Sequence, residues 1–128
     1  VLITFIFSCK KESGCNYTCK NGGTQNADCS CNCPFGYSGL DCSLVAPCLS
    51  NHTGQITTNN HKNDPYNIYI NSIYKGQVSS YSSYTVYSLP DGYCTIKWEQ
   101  ASGYILYPTI YTQSATVTDC SDNGFDLN

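Results

Sequence analysis

Residues 15–42 read CNYTCKNGGTQNADCSCNCPFGYSGLDC. Six of the ten cysteines of the 128-residue chain fall in these twenty-eight positions. Aliphatic side chains are almost absent, so the segment cannot close an apolar core of its own. A module this short needs covalent or metal staples to hold one shape. Asn21-Gly22-Gly23 and Pro34-Phe35-Gly36-Tyr37-Ser38-Gly39 are turn signals, since glycine and asparagine reach positive φ at little strain. Six cysteines allow 15 pairings, and counting does not choose among them.

The Cys-x-Cys-x-Cys run at Cys29, Cys31 and Cys33 invites a zinc reading. The flanking turns have no role in such a site, and the segment contains no histidine. Disulfides are therefore expected, with the oxidising compartment that small cysteine-dense modules occupy.

The residues around the cysteines resemble an EGF-like module. The likeness lies in Asn21-Gly22-Gly23-Thr24 after the second cysteine, the Cys31-x-Cys33-Pro34 step, and Gly36-Tyr37-Ser38-Gly39-Leu40-Asp41-Cys42. It implies the pairs Cys15–Cys29, Cys19–Cys31 and Cys33–Cys42. Calcium-binding members carry acidic residues before the first cysteine and an Asp or Asn between the third and fourth. Here Lys11-Glu12-Ser13-Gly14 supplies one carboxylate, and Ser30 alone separates Cys29 from Cys31. A calcium ion takes six to eight oxygens, so no metal is expected.

Upstream, Val1-Leu2-Ile3-Thr4-Phe5-Ile6-Phe7-Ser8-Cys9 is too short to span a bilayer, which takes about twenty residues. It reads as the end of a signal core. Ser8-Cys9 resembles the lipobox of bacterial lipoproteins, and Lys10-Lys11-Glu12 resembles the charged tether of Bacteroidota-type surface lipoproteins. The resemblance implies lipidation of Cys9 and a chain cut within its signal peptide. A buried first strand, with Cys9 as a disulfide partner, is the rival reading. It would let all ten cysteines pair, but the charges that follow at once count against it.

The expected organisation is a signal remnant and lipobox at 1–9, a tether at 10–14, the EGF-like module at 15–42 and a linker at 43–47. A β-sandwich domain follows at 48–120, then a loose polar tail at 121–128. Residues 48–120 are rich in Tyr, Thr, Ser, Ile and Val, which suit a pleated, half-buried surface. No helical period is present. Alternation predicts strands over Gly54–Thr58, Tyr66–Ile70, from Ile73, and over Tyr84–Leu89, Tyr93–Glu99, Gly103–Tyr107 and Ser114–Cys120. Asn71-Ser72 and Pro90-Asp91-Gly92 are the turns, and Lys75-Gly76 a bulge or turn. Ile68 and Ile70 share one face, as do Cys94, Ile96 and Trp98. The fold class is mainly β: a disulfide-stapled EGF-like module followed by a small antiparallel β-sandwich. Residues 69–76 together with 89–96 are similar to the PEGA type of bacterial surface domain, which implies an extracytoplasmic sandwich without catalytic residues.

Among the remaining cysteines, a Cys48–Cys120 bridge would tie the first strand of this domain to its last. Cys94 then lies on the apolar face as a small hydrophobe. Cys94–Cys120 is the rival, and Cys9–Cys94 a more distant pairing.

The chemistry-bearing residues are few. His52 and His61 lie in a polar stretch with Asn59, Asn60, Asn63 and Asp64, which reads as a solvated loop. No nucleophile motif, phosphate-cradling loop or metal-ligand spacing is present. The expectation is no enzyme and no cofactor. The net charge is −3 and arginine is absent, which disfavours nucleic acid. Twelve tyrosines, with serine and asparagine, make adaptable binding chemistry; Tyr69, Tyr74, Tyr87 and Tyr93 are the candidates. Asn16-Tyr17-Thr18 and Asn51-His52-Thr53 fit N-glycosylation if the source is eukaryotic. The expected role is a lipid-anchored extracytoplasmic surface protein that binds a protein or glycan without catalysis. The alternatives are an accessory subunit of a surface assembly and a secreted eukaryotic matrix or signalling module.

Overall fold

The computed structural model describes residues 14–128. The expected signal remnant, the lipidation of Cys9 and most of the tether lie outside the described residues. The chain divides between Leu44 and Val45 into two compact units. The division falls inside the stretch 43–47 expected as a linker, most of which is used for structure.

Sulfur and backbone hydrogen bonds hold the first unit. Strands β1 (Thr24–Gln25) and β2 (Cys31–Asn32) pair antiparallel, and β3 (Tyr37–Ser38) pairs with β4 (Leu44–Val45). The bridges are Cys15–Cys29, Cys19–Cys31 and Cys33–Cys42, with Cα–Cα distances of 5.4, 5.7 and 5.3 Å. Each closes a short loop, for about 2–4 kcal/mol per bridge in the chain-entropy account. Cys42 is fully buried. Asn21 and Gly22 both take left-handed backbone, and the Asn21 amide donates to the Cys42 carbonyl at 2.8 Å. Gly23 lies so close to the Cys33–Cys42 bridge that a Cβ would stand 2.7 Å from the Cys42 sulfur.

The second unit is a two-sheet sandwich. A short helix, α1 (Pro47–Ser50), leads into β5 (Thr53–Asn60). Then come β6 (Tyr66–Ile70), β7 (Ile73–Val78), β8 (Ser83–Pro90), β9 (Gly92–Gln100), β10 (Ile110–Val117) and β11 (Asp122–Leu127). One sheet runs β10-β9-β6-β7 and the other β11-β5-β8. Burial alternates along β5, β6 and β9, as the period of a strand requires. Ile56, Ile68, Ile96, Trp98, Val78 and Val117 form the centre of the core. The Trp98 indole N–H donates to the Thr58 hydroxyl at 3.0 Å, so this buried polar pair is satisfied.

Asn71 and Ser72 both have positive φ, the geometry of a two-residue turn matched to strand twist. Across that hairpin Ile68 faces Gly76 and Tyr69 faces Tyr74, so Lys75 is the extra residue of a bulge. A second irregularity lies between Gly54 and Ile56, opposite Leu89 and Val86. It lets Val86 and Leu89 both face inward while Tyr87 points out.

Three expectations are corrected. Residues 121–128 are not a loose tail: they carry β11, parallel to β5 from Asp122 opposite Gln55 to Leu127 opposite Asn60. Phe125 and Leu127 pack on the core, while Asp122 and Asp126 accept hydrogen bonds from Gln55, Thr57 and Asn59. The domain therefore runs past Cys120, and its second sheet is mixed rather than wholly antiparallel. Gly103–Tyr107 is a loop instead of a strand. The last hairpin strand is Ile110–Val117, beginning after Pro108, rather than Ser114–Cys120. Proline has no N–H to give a ladder, and Thr118 to Cys120 form the turn into β11.

Cys48 and Cys120 are joined, with Cα atoms 5.0 Å apart across a separation of 72 residues. Among the described residues Cys94 is the free cysteine; it is buried, and burial raises its thiol pKa. Four bridges point to an oxidising, extracytoplasmic environment. No helix among the described residues is long and apolar enough to cross a membrane.

Candidate binding surface

The loop joining β9 to β10 has a clamped neck and a bare apex. At the neck, the Gln100 N–H donates to the Thr109 carbonyl at 2.9 Å. The Gln100 side-chain oxygen accepts from the Thr109 N–H at 3.2 Å. The Ala101 N–H donates to the Pro65 carbonyl at 2.8 Å. Gly103 takes left-handed backbone, φ 85°, and packs directly against the Asp64 carboxylate. Beyond this neck, Ile105 is 98 % exposed, Tyr107 86 % and Leu106 80 %, with Tyr104 half-exposed. Four consecutive large apolar or aromatic residues face solvent on a rigid support. Loops held this way carry much of the binding done by β scaffolds.

The expected tyrosines divide between the two sheets. Tyr69 and Tyr74 stack edge to face across β6 and β7 at 5.6 Å. Lys97 lies over the Tyr69 ring at 4.1 Å and pairs with Glu99 at 2.7 Å. Tyr93 lies on the same strand and face as Lys97, and its hydroxyl donates to Ser114 at 2.6 Å. Tyr69, Tyr74 and Tyr93 thus share the outer face of the four-stranded sheet. Tyr87 is on the other sheet. It walls an open cleft of about 410 Å³ with Pro47, Asn51, Gln55, Ser88 and the Cys48–Cys120 bridge.

The histidines do not converge. They flank β5 at its two ends, so its eight residues hold them roughly 25–30 Å apart. His52 Nδ1 is 3.0 Å from Asp119 Oδ2; His61 Nε2 is 3.3 Å from Asp126 Oδ1. Asp126 is held below the usual carboxyl range, first by the Asn59 amide and then by His61. Sequence adjacency to Asn59–Asp64 had placed both imidazoles in one loop, and the strand between them separates them.

The apolar loop escaped the sequence reading because Tyr104-Ile105-Leu106-Tyr107 has the composition of a strand. Its flanking Gly103 and Pro108 were the available signal. No protein family, curated protein or solved structure matches this chain.

Proposed function

We propose that this is an extracytoplasmic surface protein, lipid-anchored at Cys9, that binds a protein partner without catalysis. In this reading the EGF-like module is a disulfide-rigid spacer between the anchor and the β-sandwich. The 1–3, 2–4, 5–6 order of its three bridges supports that assignment. The observation that carries the binding role is the loop Tyr104–Tyr107, exposed at its apex and clamped at its neck. Aliphatic tips flanked by tyrosine suit an apolar pocket on a protein, where such residues supply most of the binding energy. A membrane surface fits less well. Residues 101–109 carry no positive charge, and the nearby Asp64 and Glu99 are acidic, whereas interfacial segments add Lys or Arg.

The test uses the full-length gene in its source cells, with a photo-cross-linking residue at position 105 and, as a control, at Thr112 on β10. A discrete protein adduct from 105 alone, together with surface accessibility of the protein, is the expected result. No adduct from 105, or equal adducts from both positions, would overturn the binding role. A mature protein without acyl mass at Cys9 would overturn the anchor separately.

A further inference from the structure

Strand β8 carries its irregularity at Tyr87 and Ser88. Gly54 faces Leu89 and Ile56 faces Val86, so Gln55 alone lies opposite these two residues. This is a bulge, a device that re-aims a side chain. Ser88 has left-handed backbone, φ 53°, a conformation that strains a residue other than glycine. Tyr87 is thereby turned out, 69 % exposed, at the wall of the cleft of about 410 Å³. That volume falls within the range of small-ligand sites.

The side chains at this cleft are uncommitted. Tyr69 and Tyr74 stack on each other, and the hydroxyls of Tyr84 and Tyr93 donate to Lys75 and Ser114. Among the described residues, no ring or hydrogen-bond partner engages the Tyr87 side chain or the exposed Asn51 amide. The Gln55 amide donates to Asp122 at 2.9 Å, which leaves its oxygen free to accept. The frame around these groups is fixed. The Cys48–Cys120 bridge is part of the wall. The Gln55 N–H donates to the Ser121 carbonyl and the Cys120 N–H to the Thr53 carbonyl, both at 2.8 Å. The Asp91 N–H donates to the His52 carbonyl at 2.9 Å and ties the next turn to the same end of β5. A cleft held in shape loses little freedom on binding.

We propose that this cleft binds a neutral oligosaccharide, with one sugar ring seated on the face of Tyr87. A pyranose has an apolar face of C–H groups and a rim of hydroxyls. The negative face of an aromatic ring attracts the C–H groups. The rim hydroxyls both donate and accept, as the amides of Asn51 and Gln55 do. No Lys, Asp, Glu or His is among the lining residues, so nothing there selects an ion. Asp122, bonded to Gln55, disfavours an acidic sugar. A peptide fits less well, because its anchors need enclosed apolar pockets and this cleft is open. The site and Tyr104–Tyr107 lie at opposite ends of β10, so either can fail without the other.

The test is proton–nitrogen NMR of the disulfide-intact protein, titrated with neutral hexasaccharides of glucose, mannose, xylose, galactose and N-acetylglucosamine. Oligogalacturonate and a proline-rich peptide are the comparisons. At about 10 mM, a ligand of millimolar Kd nearly fills its site. At least one neutral sugar is expected to shift the resonances of Asn51, Gln55, Tyr87 and Ser88. Tyr87→Ala should weaken that binding by at least about tenfold, while Tyr87→Phe, which keeps the ring, should retain it. Tyr81 is 71 % exposed and has left-handed backbone. Tyr81→Asn, which suits that backbone, should leave binding unchanged. The proposal is overturned if no neutral sugar shifts these resonances, or if Tyr87→Phe loses as much as Tyr87→Ala. It is equally overturned if Tyr81→Asn weakens binding, or if oligogalacturonate or the peptide binds in preference.

Discussion

Lys20 Nζ lies 2.8 Å from Asp41 Oδ2. The Asp41 carboxyl is pulled down from 3.8 to about 2, chiefly by that lysine and then by hydrogen bonding from Ser43. A carboxyl depressed by folding contributes stability that is fully present above its unfolded value and is lost as pH falls through its folded value. The contribution of Asp41 should therefore fade between about pH 4 and pH 2. Carboxyl NMR should find its midpoint near the lower figure, and Lys20→Gln should move that midpoint upward. The pair is solvent-exposed, so the effect on global stability is small. Gly76 is a residue of a different kind. Its φ is 151°, and a Cβ there would run into the Tyr84 ring, whose hydroxyl donates to the Lys75 carbonyl at 3.1 Å. Gly76→Ala is expected to destabilise the second unit by about 1–3 kcal/mol, measured by denaturant unfolding followed through Trp98 fluorescence.

At the scale of elements, β11 decides whether β5 is an edge. Without it, β5 would expose a row of unpaired N–H and C=O groups, the template for aggregation. Leu127 is buried and Phe125 packs against Trp98, ring centroids 5.7 Å apart. Leu127→Ala should cost about 2–4 kcal/mol in denaturant unfolding. A chain ending at Cys120 should aggregate at concentrations where the whole chain stays monomeric by light scattering. The alternation that defines β11 is visible in Asp122-Asn123-Gly124-Phe125-Asp126-Leu127. It was masked by three polar residues and a glycine, which carry turn propensity when read locally. Gly103–Tyr107 is the converse case. Its residues favour a strand, but Pro108 blocks the ladder and Gly103 packs on Asp64, so the apolar side chains are turned out into solvent.

At the scale of the whole molecule, two kinds of cohesion are joined in one chain. The first unit depends on three short bridges. The second has a core of its own, centred on Trp98, and one long bridge. Replacing both Cys48 and Cys120 by serine removes a constraint across 72 residues, which the chain-entropy model values at about 4 kcal/mol. Its loss should lower the Tm of the second unit, while the first three bridges stay intact by peptide mapping. Cys94 gives an internal check on the same experiment. Buried and with its thiol pKa raised, it should resist alkylation until the second unit unfolds.

The sequence by itself determined that the chain is mainly β, that cysteine density stands in for a core over residues 15–42, and where Tyr66–Ile70, Tyr93–Glu99 (within β9, Gly92–Gln100) and the Asn71-Ser72 turn lie. These are local matters: period-two burial, turn chemistry and loop closure act over a few residues and leave their mark there. Only the tertiary structure decided that residues 122–127 complete a sheet, that His52 and His61 are held apart, and that His52 meets Asp91 and Asp119. It also decided that Tyr104–Tyr107 face water. Each depends on which strand lies beside which, and pairing between positions as far apart as 55 and 122 is set by the shared core.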